Sequence, residues 1–174
     1  MMTEWQVHHG DLLDVPADVL ICSANVYLTL SGGVGGALMM RYGSTLQDAM
    51  TAYLAKRGVK HVERGDVVAM PSLGTPYRAV LHAVAVDGFY ETTIDVTAEI
   101  LRKSLRQAAE LGAETAALAA LATGYGRRPI EFFAAAVNKV IDEDFAPLRR
   151  IVVGLRSRHE VDDWLASEPR ITEV

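Results

Sequence analysis

The chain has 174 residues, of which 50% are hydrophobic and 22% are charged, and its formal net charge is -5 at pH 7. This is the balance of an ordinary globular protein, and we expect residues 1–174 to form one domain around one core. The negative charge and the lack of a long basic run argue against non-specific nucleic-acid binding. No apolar run reaches membrane-spanning length and the first residues do not resemble a secretory signal, so we expect a cytoplasmic protein without membrane contact.

Short apolar segments bounded by glycine, proline or polar residues predict strands at residues 5–8, 19–24, 67–70, 79–86, 115–121 and 150–155. Helical periodicity predicts helices at 44–57, 93–111, 130–141 and 159–166, and residues 37–42 form a further helix-like run. Strands that are apolar on both faces and alternate with helices indicate an α/β fold. We expect a three-layer α/β/α sandwich with a mixed, mostly parallel sheet of about six strands.

The segment from Ser31 to Ala37, Ser-Gly-Gly-Val-Gly-Gly-Ala, is unusually rich in glycine. It joins a predicted strand to a helix-like run, and helix starts of this kind favour phosphate through unpaired N–H groups and the helix dipole. Ala37 and Leu38 stand where a Walker loop needs Lys and Ser or Thr, and Leu38 also breaks the dinucleotide fingerprint. An anion cradle and a flexible loop remain as alternatives.

Three segments follow predicted strands and should meet at the carboxyl edge of the sheet, where open α/β sheets bind ligands. They are residues 10–13, 25–36 and 122–129. The Arg127-Arg128 pair could assist phosphate binding or simply be solvated, so we expect backbone N–H groups to be the main phosphate ligands. The single cysteine, Cys22, lies in an apolar strand and predicts a buried thiol. No Cys or His spacing indicates a metal site, and we expect neither a metal nor a cofactor.

These motifs, in their order and spacing, resemble the macrodomains, the Appr-1-p processing family, which bind ADP-ribose and related metabolites. Gly10-Asp11-Leu12 is similar to the family's opening motif, and Ser23-Ala24-Asn25 to the end of its Asn-Ala-Ala-Asn motif. The glycine segment is similar to the family's catalytic loop. The segment Ala122-Thr123-Gly124-Tyr125-Gly126 is similar to its second phosphate loop. The resemblance extends over nearly the whole chain.

The resemblance implies an ADP-ribose site with three parts. Asp11, next to Leu12, would accept a hydrogen bond from the adenine amino group, and Asn25 would contact the distal ribose. The diphosphate would lie between two sets of backbone N–H groups, with Arg127 close by. The first set is Ser31, Gly32, Gly33, Val34, Gly35 and Gly36. The second set is Thr123, Gly124, Tyr125 and Gly126. The alternative is that Asp11 caps the following turn and Asn25 makes a turn of its own. Tyr125 would lie against the ligand or form a partial lid. His82 is interpreted as a hydrogen-bonded histidine, in the core or directly behind the site, and not as a general base.

The chain departs from the family pattern at positions that matter for catalysis. The best-known macrodomain hydrolases carry an aspartate where this chain has Gly35 and a histidine where it has Met39, and Cys22 replaces their first motif asparagine. Without a carboxylate at Gly35 no group is evident that would activate water, so the catalytic residues stay unassigned, with Asp87, Tyr125 and Arg127 as weak substitutes. We therefore expect a protein that binds ADP-ribose or a close derivative, free or attached to a protein. A hydrolase with an atypical catalytic set and an interaction module with a degenerate pocket remain as alternatives.

Overall fold

The computed structural model describes residues 2–124 and 126–174, so the predicted role of Tyr125 lies outside the described residues. Its centre is a seven-stranded sheet in the order β3-β4-β2-β5-β6-β1-β7. The strands are β1 (Glu4–His9), β2 (Val19–Ala24), β3 (Val67–Pro71), β4 (Ala79–Val84), β5 (Thr115–Ala119), β6 (Arg150–Leu155) and β7 (Ile171–Glu173). The β3–β4 pair is antiparallel and the other neighbouring pairs are parallel. The predicted mixed, mostly parallel sheet is confirmed, with β7 added at one edge.

The described helices are α1 (Gly33–Tyr42), α2 (Thr45–Arg57), α3 (Ile94–Glu110), α4 (Ile130–Asn138) and α5 (Arg158–Ser167), with a short 3₁₀ turn at Leu12–Asp14. Helices α3, α4 and α5 contribute to the hydrophobic core on one face of the sheet. Helices α1 and α2 contribute to a second core on the other face. This arrangement is the predicted three-layer α/β/α sandwich. In residues 2–124 and 126–174, no helix combines the length and apolarity needed to cross a bilayer.

Burial on both sides explains why the central strands are continuous apolar runs. Every residue of β4 is buried. Its side chains alternate between the cores, with Leu81 on the α3 side and Val80 on the α1 side. The same alternation places Ile21 and Cys22 of β2 on opposite faces. The sheet is therefore a rigid platform whose strand ends position the loops at its edge.

Helix α1 begins earlier than the sequence pattern predicts. The amide of Gly36 donates to the carbonyl of Gly32 over 3.1 Å, so the glycine segment forms the first turn of the helix instead of a loop before it. Glycine has a low helix propensity, which hides this turn from periodicity arguments. Gly32 is the N-cap, and it supplies no side-chain cap to the turn. The helix therefore presents an open N-terminus at the carboxyl edge of the sheet.

Candidate ligand-binding site

A cavity of about 500 Å³ lies at the carboxyl ends of β2, β5 and β6. Ser23 and Ala24 form its wall at the end of β2, Ala119 at the end of β5, and Gly154 and Leu155 at the end of β6. Because these strands are parallel, their carboxyl ends meet at one edge of the sheet. The cavity therefore occupies the position where the sequence predicted a ligand.

The first turn of α1 forms one side of the cavity. Gly32, Gly33, Val34 and Gly35 all belong to the wall. The first N–H groups of a helix have no intrahelical acceptor, and here the intrahelical pattern starts with Gly36. The four amides before it lie at the positive end of the helix dipole, which is a favourable place for an anion.

Two members of the predicted donor set have local roles. Ser31 donates its amide to the carbonyl of Thr29 over 3.1 Å, and Gly36 donates to Gly32, and neither belongs to the cavity wall. Gln47 on α2 fixes the loop before α1 by hydrogen bonds to its backbone. Its Oε1 accepts from the amide of Leu30 at 2.7 Å, and its Nε2 donates to the carbonyl of Leu28 at 3.1 Å. No sequence signal points to Gln47, because its role depends on tertiary packing.

The loop after β5 forms the opposite side of the cavity with Thr123, Gly124 and Gly126. A Cβ atom on Gly126 would lie 2.5 Å from the carbonyl oxygen of Ala122 and 3.0 Å from Cγ1 of Val86. Only glycine fits this position without displacing backbone. At Gly124 a Cβ would meet no atom within 4 Å. Gly126 is therefore tightly packed, whereas Gly124 has space for a side chain.

Arg127 lies beside this loop but does not contribute to the cavity wall. It is exposed, its φ is 50°, and its amide donates to the carbonyl of Gly124 over 3.0 Å. The neighbouring Arg128 is paired with Glu91 at 3.0 Å. Neither Arg127 nor Arg128 belongs to the wall, so neither guanidinium contributes to the polar surface between the two glycine loops.

Asp11 and Leu12 lie next to the cavity at its β6 end. Asp11 Oδ1 accepts from the amide of Leu13 at 2.9 Å, and Oδ2 lies 3.2 Å from Nη2 of Arg41 and 3.7 Å from Nη2 of Arg156. Asp11 thus caps the 3₁₀ turn, as in the alternative interpretation, and Arg156 connects it to the cavity wall. A Cβ atom on Gly154 would lie 2.7 Å from Cβ of Leu12, so Leu12 packs directly over that glycine.

Asn25 belongs to the wall at the other end of the cavity. Its Oδ1 accepts from the amides of Tyr27 and Thr29 at 3.0 and 3.2 Å, and its Nδ2 donates to the carbonyl of Thr29 at 3.0 Å. The side chain therefore makes a turn of its own while it lines the cavity. An amide nitrogen carries two hydrogens, so the second can still be donated into the cavity.

His82 and Cys22 are register partners on β4 and β2, and both are fully buried. Burial lowers the pKa of His82 to about 4 and raises the pKa of Cys22 to about 12. Neither ring nitrogen of His82 has a hydrogen-bond partner within the described part of the chain. The prediction of a core histidine is confirmed, and the expected hydrogen bond is not found among the described residues, where the register partners of His82 are the buried Cys22 and Val68. Neither residue belongs to the cavity wall.

The cavity wall has one carboxylate among the described residues, Glu160 on α5. Glu160 follows the cap of that helix, where Ser157 Oγ accepts its amide at 3.3 Å. The sequence spacing Ser157-x-x-Glu160 is the signal that could have placed it at a helix start. Asp87, a weak catalytic substitute in the sequence analysis, lies outside the wall and accepts the amides of Phe89 and Glu91. These backbone hydrogen bonds lower its pKa.

Groups of three or more His, Cys, Asp or Glu side chains that could hold a metal ion are absent from residues 2–124 and 126–174. The polar groups of the described wall are thus backbone amides, the hydroxyl residues Ser23, Thr29 and Thr123, one amide side chain, one guanidinium and one carboxylate. This set suits an anionic ligand held mainly by dipoles. Among the residues that the structure describes, the first turn of α1 brings no carboxylate, imidazole or thiol to the wall.

The fold and the site together define a class of protein: an open α/β sandwich with a cavity between two glycine loops. The family profile described as Macro domain matches residues 21–137. An uncharacterized protein of Pyrobaculum aerophilum is 33% identical over 160 residues, covering 90% of this chain and 86% of the relative. A macro domain-containing protein of Streptomyces nogalater is 37% identical over 130 residues, covering 74% of this chain and 72% of the relative. The chain therefore belongs to the macrodomain family, as the resemblance indicated.

Solved macrodomains share the fold. A mutant Oceanobacillus iheyensis macrodomain with ADPR matches with a TM-score of 0.81 at 20% identity, covering 92% of this chain and 89% of that one. A Trypanosoma brucei macrodomain in complex with ADP-ribose matches with a TM-score of 0.77 at 20% identity, covering 94% of this chain and 68% of that one. At this level of identity the likeness concerns the fold.

Proposed function

We propose that this macrodomain binds ADP-ribose or a close derivative, free or attached to a protein, in the cavity at the carboxyl edge of the sheet. The observation that carries the proposal is the pair of glycine loops on opposite sides of that cavity, one of which is the open N-terminus of α1. Family members solved with ADPR and with ADP-ribose support the ligand class.

In the proposed pose the diphosphate lies between the first turn of α1 and the 123–126 loop. The adenine lies at the β6 end, where Asp11 and Arg156 stand, and the terminal ribose lies at the Asn25 end. Phosphate charge is met mainly by backbone dipoles. Arg156 is the one cation in the described wall. The glycine segment lacks the lysine with which a Walker loop binds the third phosphate of ATP. This favours ADP-ribose over ATP as the ligand.

The hydrolase alternative receives less support from this site. A side chain at Gly35 would have its Cβ 3.1 Å from Cδ2 and 3.3 Å from Cα of Leu30, so a carboxylate there would require Leu30 to shift by a few tenths of an ångström. The wall carboxylate, Glu160, lies at the β6 end, away from Asn25. Binding without a group that stabilises the transition state gives no rate. The degenerate-pocket alternative is weakened by the volume of the cavity and by the open amides of α1.

Calorimetric titration with ADP-ribose, ATP and NAD tests the proposal, and two glycines of α1 supply a test variant and a control. Gly33 lines the cavity with a φ of 54°, whereas Gly36 lies outside the wall in helical backbone where a Cβ would be in ordinary contact, 3.6 Å from the nearest atom. Gly33→Val should weaken ADP-ribose binding at least about tenfold, because a branched side chain resists that backbone conformation. Gly36→Ala should stay within about twofold of wild type. Equal effects of the two changes, or a wild-type preference for ATP, would contradict the proposal.

A further inference from the structure

Four exposed aromatic side chains lie on neighbouring loops, and they are here called the aromatic patch: Tyr27, His61, Phe89 and Tyr90. Phe89 is 86% exposed and Tyr27 is 56% exposed. The rings of Tyr27 and His61 meet edge to face, with centroids 6.3 Å apart. A Cβ on Gly88 would lie 4.0 Å from the hydroxyl of Tyr27, so the loops that carry Tyr27 and Phe89 lie side by side.

The turn that carries Phe89 is braced by hydrogen bonds. Asp87 Oδ1 accepts the amides of Phe89 and Glu91 at 2.8 and 3.0 Å, and the amide of Asp87 donates to the carbonyl of Glu91 at 3.1 Å. Arg64 Nη1 donates to the same carbonyl at 3.0 Å. The turn thus holds a phenyl ring in water instead of letting it fold onto the protein. Exposed apolar surface that is presented on an ordered turn is typical of an interaction site, because little ordering cost remains on binding.

The aromatic patch continues from one end of the cavity. Asn25 and Val86 belong to the cavity wall, and Tyr27 and Phe89 follow them closely in the chain. Strand β4, which leads to Val86, lies on the far side of β2 and β5 from β6. The patch therefore adjoins the end of the cavity opposite Asp11 and Arg156, where the proposed pose places the terminal ribose. A carrier attached to C1 of that ribose would leave the cavity over the patch.

We propose that the aromatic patch contacts the polypeptide to which the ADP-ribosyl group is attached, so that this macrodomain prefers protein-linked ADP-ribose to the free compound. This inference rests on the proposed function. A polypeptide is favoured over a nucleic acid because Asp87 and Glu91 flank Phe89 and the chain has a net charge of -5, both of which repel a phosphodiester backbone. Two cations lie near this turn, and both are engaged. Arg64 donates to the Glu91 carbonyl and lies 3.8 Å from the Asp87 carboxylate, and Arg128 is paired with the Glu91 carboxylate at 3.0 Å.

The test compares three ligands by calorimetry: free ADP-ribose, a peptide carrying ADP-ribose through a non-hydrolysable bond to C1 of the terminal ribose, and an oligonucleotide modified in the same way. Phe89→Ser removes the most exposed ring, and Leu111→Ser is the matched control. Leu111 is 46% exposed at the C-terminal end of α3, before β5 starts, and so lies at the opposite edge of the sheet. Far-UV circular dichroism and thermal unfolding check that both variants fold.

The wild-type chain is expected to bind the modified peptide at least about fivefold more tightly than free ADP-ribose, and Phe89→Ser should remove that gain while affinity for free ADP-ribose stays within about twofold. Leu111→Ser should behave like wild type. Equal affinity for peptide and free ligand, an equal loss for both in Phe89→Ser, or a gain with the oligonucleotide instead of the peptide would overturn this inference alone. If the wild-type chain binds none of the three ligands, the proposed function fails and this inference fails with it.

Discussion

The buried imidazole of His82 should make the stability of the fold depend on pH. Its pKa falls from 6.5 to about 4 because burial disfavours the charged ring. Between these values the unfolded chain binds a proton that the folded chain does not bind. The contribution of His82 to stability is therefore fully present above about pH 6.5 and is lost progressively as the pH falls towards 4. The full difference corresponds to about 3 kcal/mol, of which about 2 kcal/mol is lost between about pH 7.5 and about pH 5.

Urea unfolding of wild type and His82→Leu at these two pH values measures the effect. Carboxylates whose protonation also destabilises the fold contribute to both proteins, so they cancel in the difference between the two free energies of unfolding. That difference should move by about 2 kcal/mol in favour of His82→Leu on acidification. His159, whose side chain is 85% exposed, supplies the control, and His159→Asn should show a much smaller change. A difference between wild type and His82→Leu that is the same at both pH values would refute the reasoning.

Three further predictions concern the site. Gly126→Ala should lower ADP-ribose affinity at least about tenfold and reduce thermal stability, because a side chain there collides with backbone. Gly124→Ala, the control, should change affinity by less than about twofold. Equal affinities of the two variants in calorimetry would contradict the close packing at Gly126. Arg41→Met should weaken ADP-ribose binding about twofold to fivefold, because the Asp11 carboxylate at the adenine end would lose its ion pair with Arg41. The loss should be smaller for the hypoxanthine analogue, which lacks the amino group. Equal losses in a competition titration would exclude this positioning role. The wild-type chain should release no ADP-ribose from a carboxyl-linked ADP-ribosylated protein. Gly35→Asp should not create this activity, because the new side chain would press on the preceding loop. Robust wild-type turnover in a time course would contradict the binding account.

The fold class could be predicted from the sequence because the central strands are buried on both faces and the helices on one, which gives each a readable pattern. Strand β7 escaped prediction because Ile171 is its one buried residue and a three-residue strand has no periodicity. Helix α1 starts four residues before the predicted run at 37–42, because its glycines and the uncapped Gly32 carry none of the usual helix-start signals.

The candidate site could be predicted in part. Motif order brought the glycine loops to one edge of the sheet, and the structure places both in the wall of one cavity. The sequence could not show that Asp11 and Asn25 also hold their own turns, because a side chain with several lone pairs can serve a cap and a ligand at once. Nor could it show Glu160, whose approach to the cavity depends on how α5 packs after β6.

The central claim is that the open amides of α1 and the loop after β5 hold the diphosphate of ADP-ribose. The most direct measurement is a titration of isotopically labelled protein with ADP-ribose, followed by the backbone amide NMR signals. The account predicts that the largest shifts fall on Gly33, Val34, Gly35 and Gly126, with little change at Gly58, which caps the far end of α2. Saturable binding that leaves the signals of these four residues unmoved would contradict it.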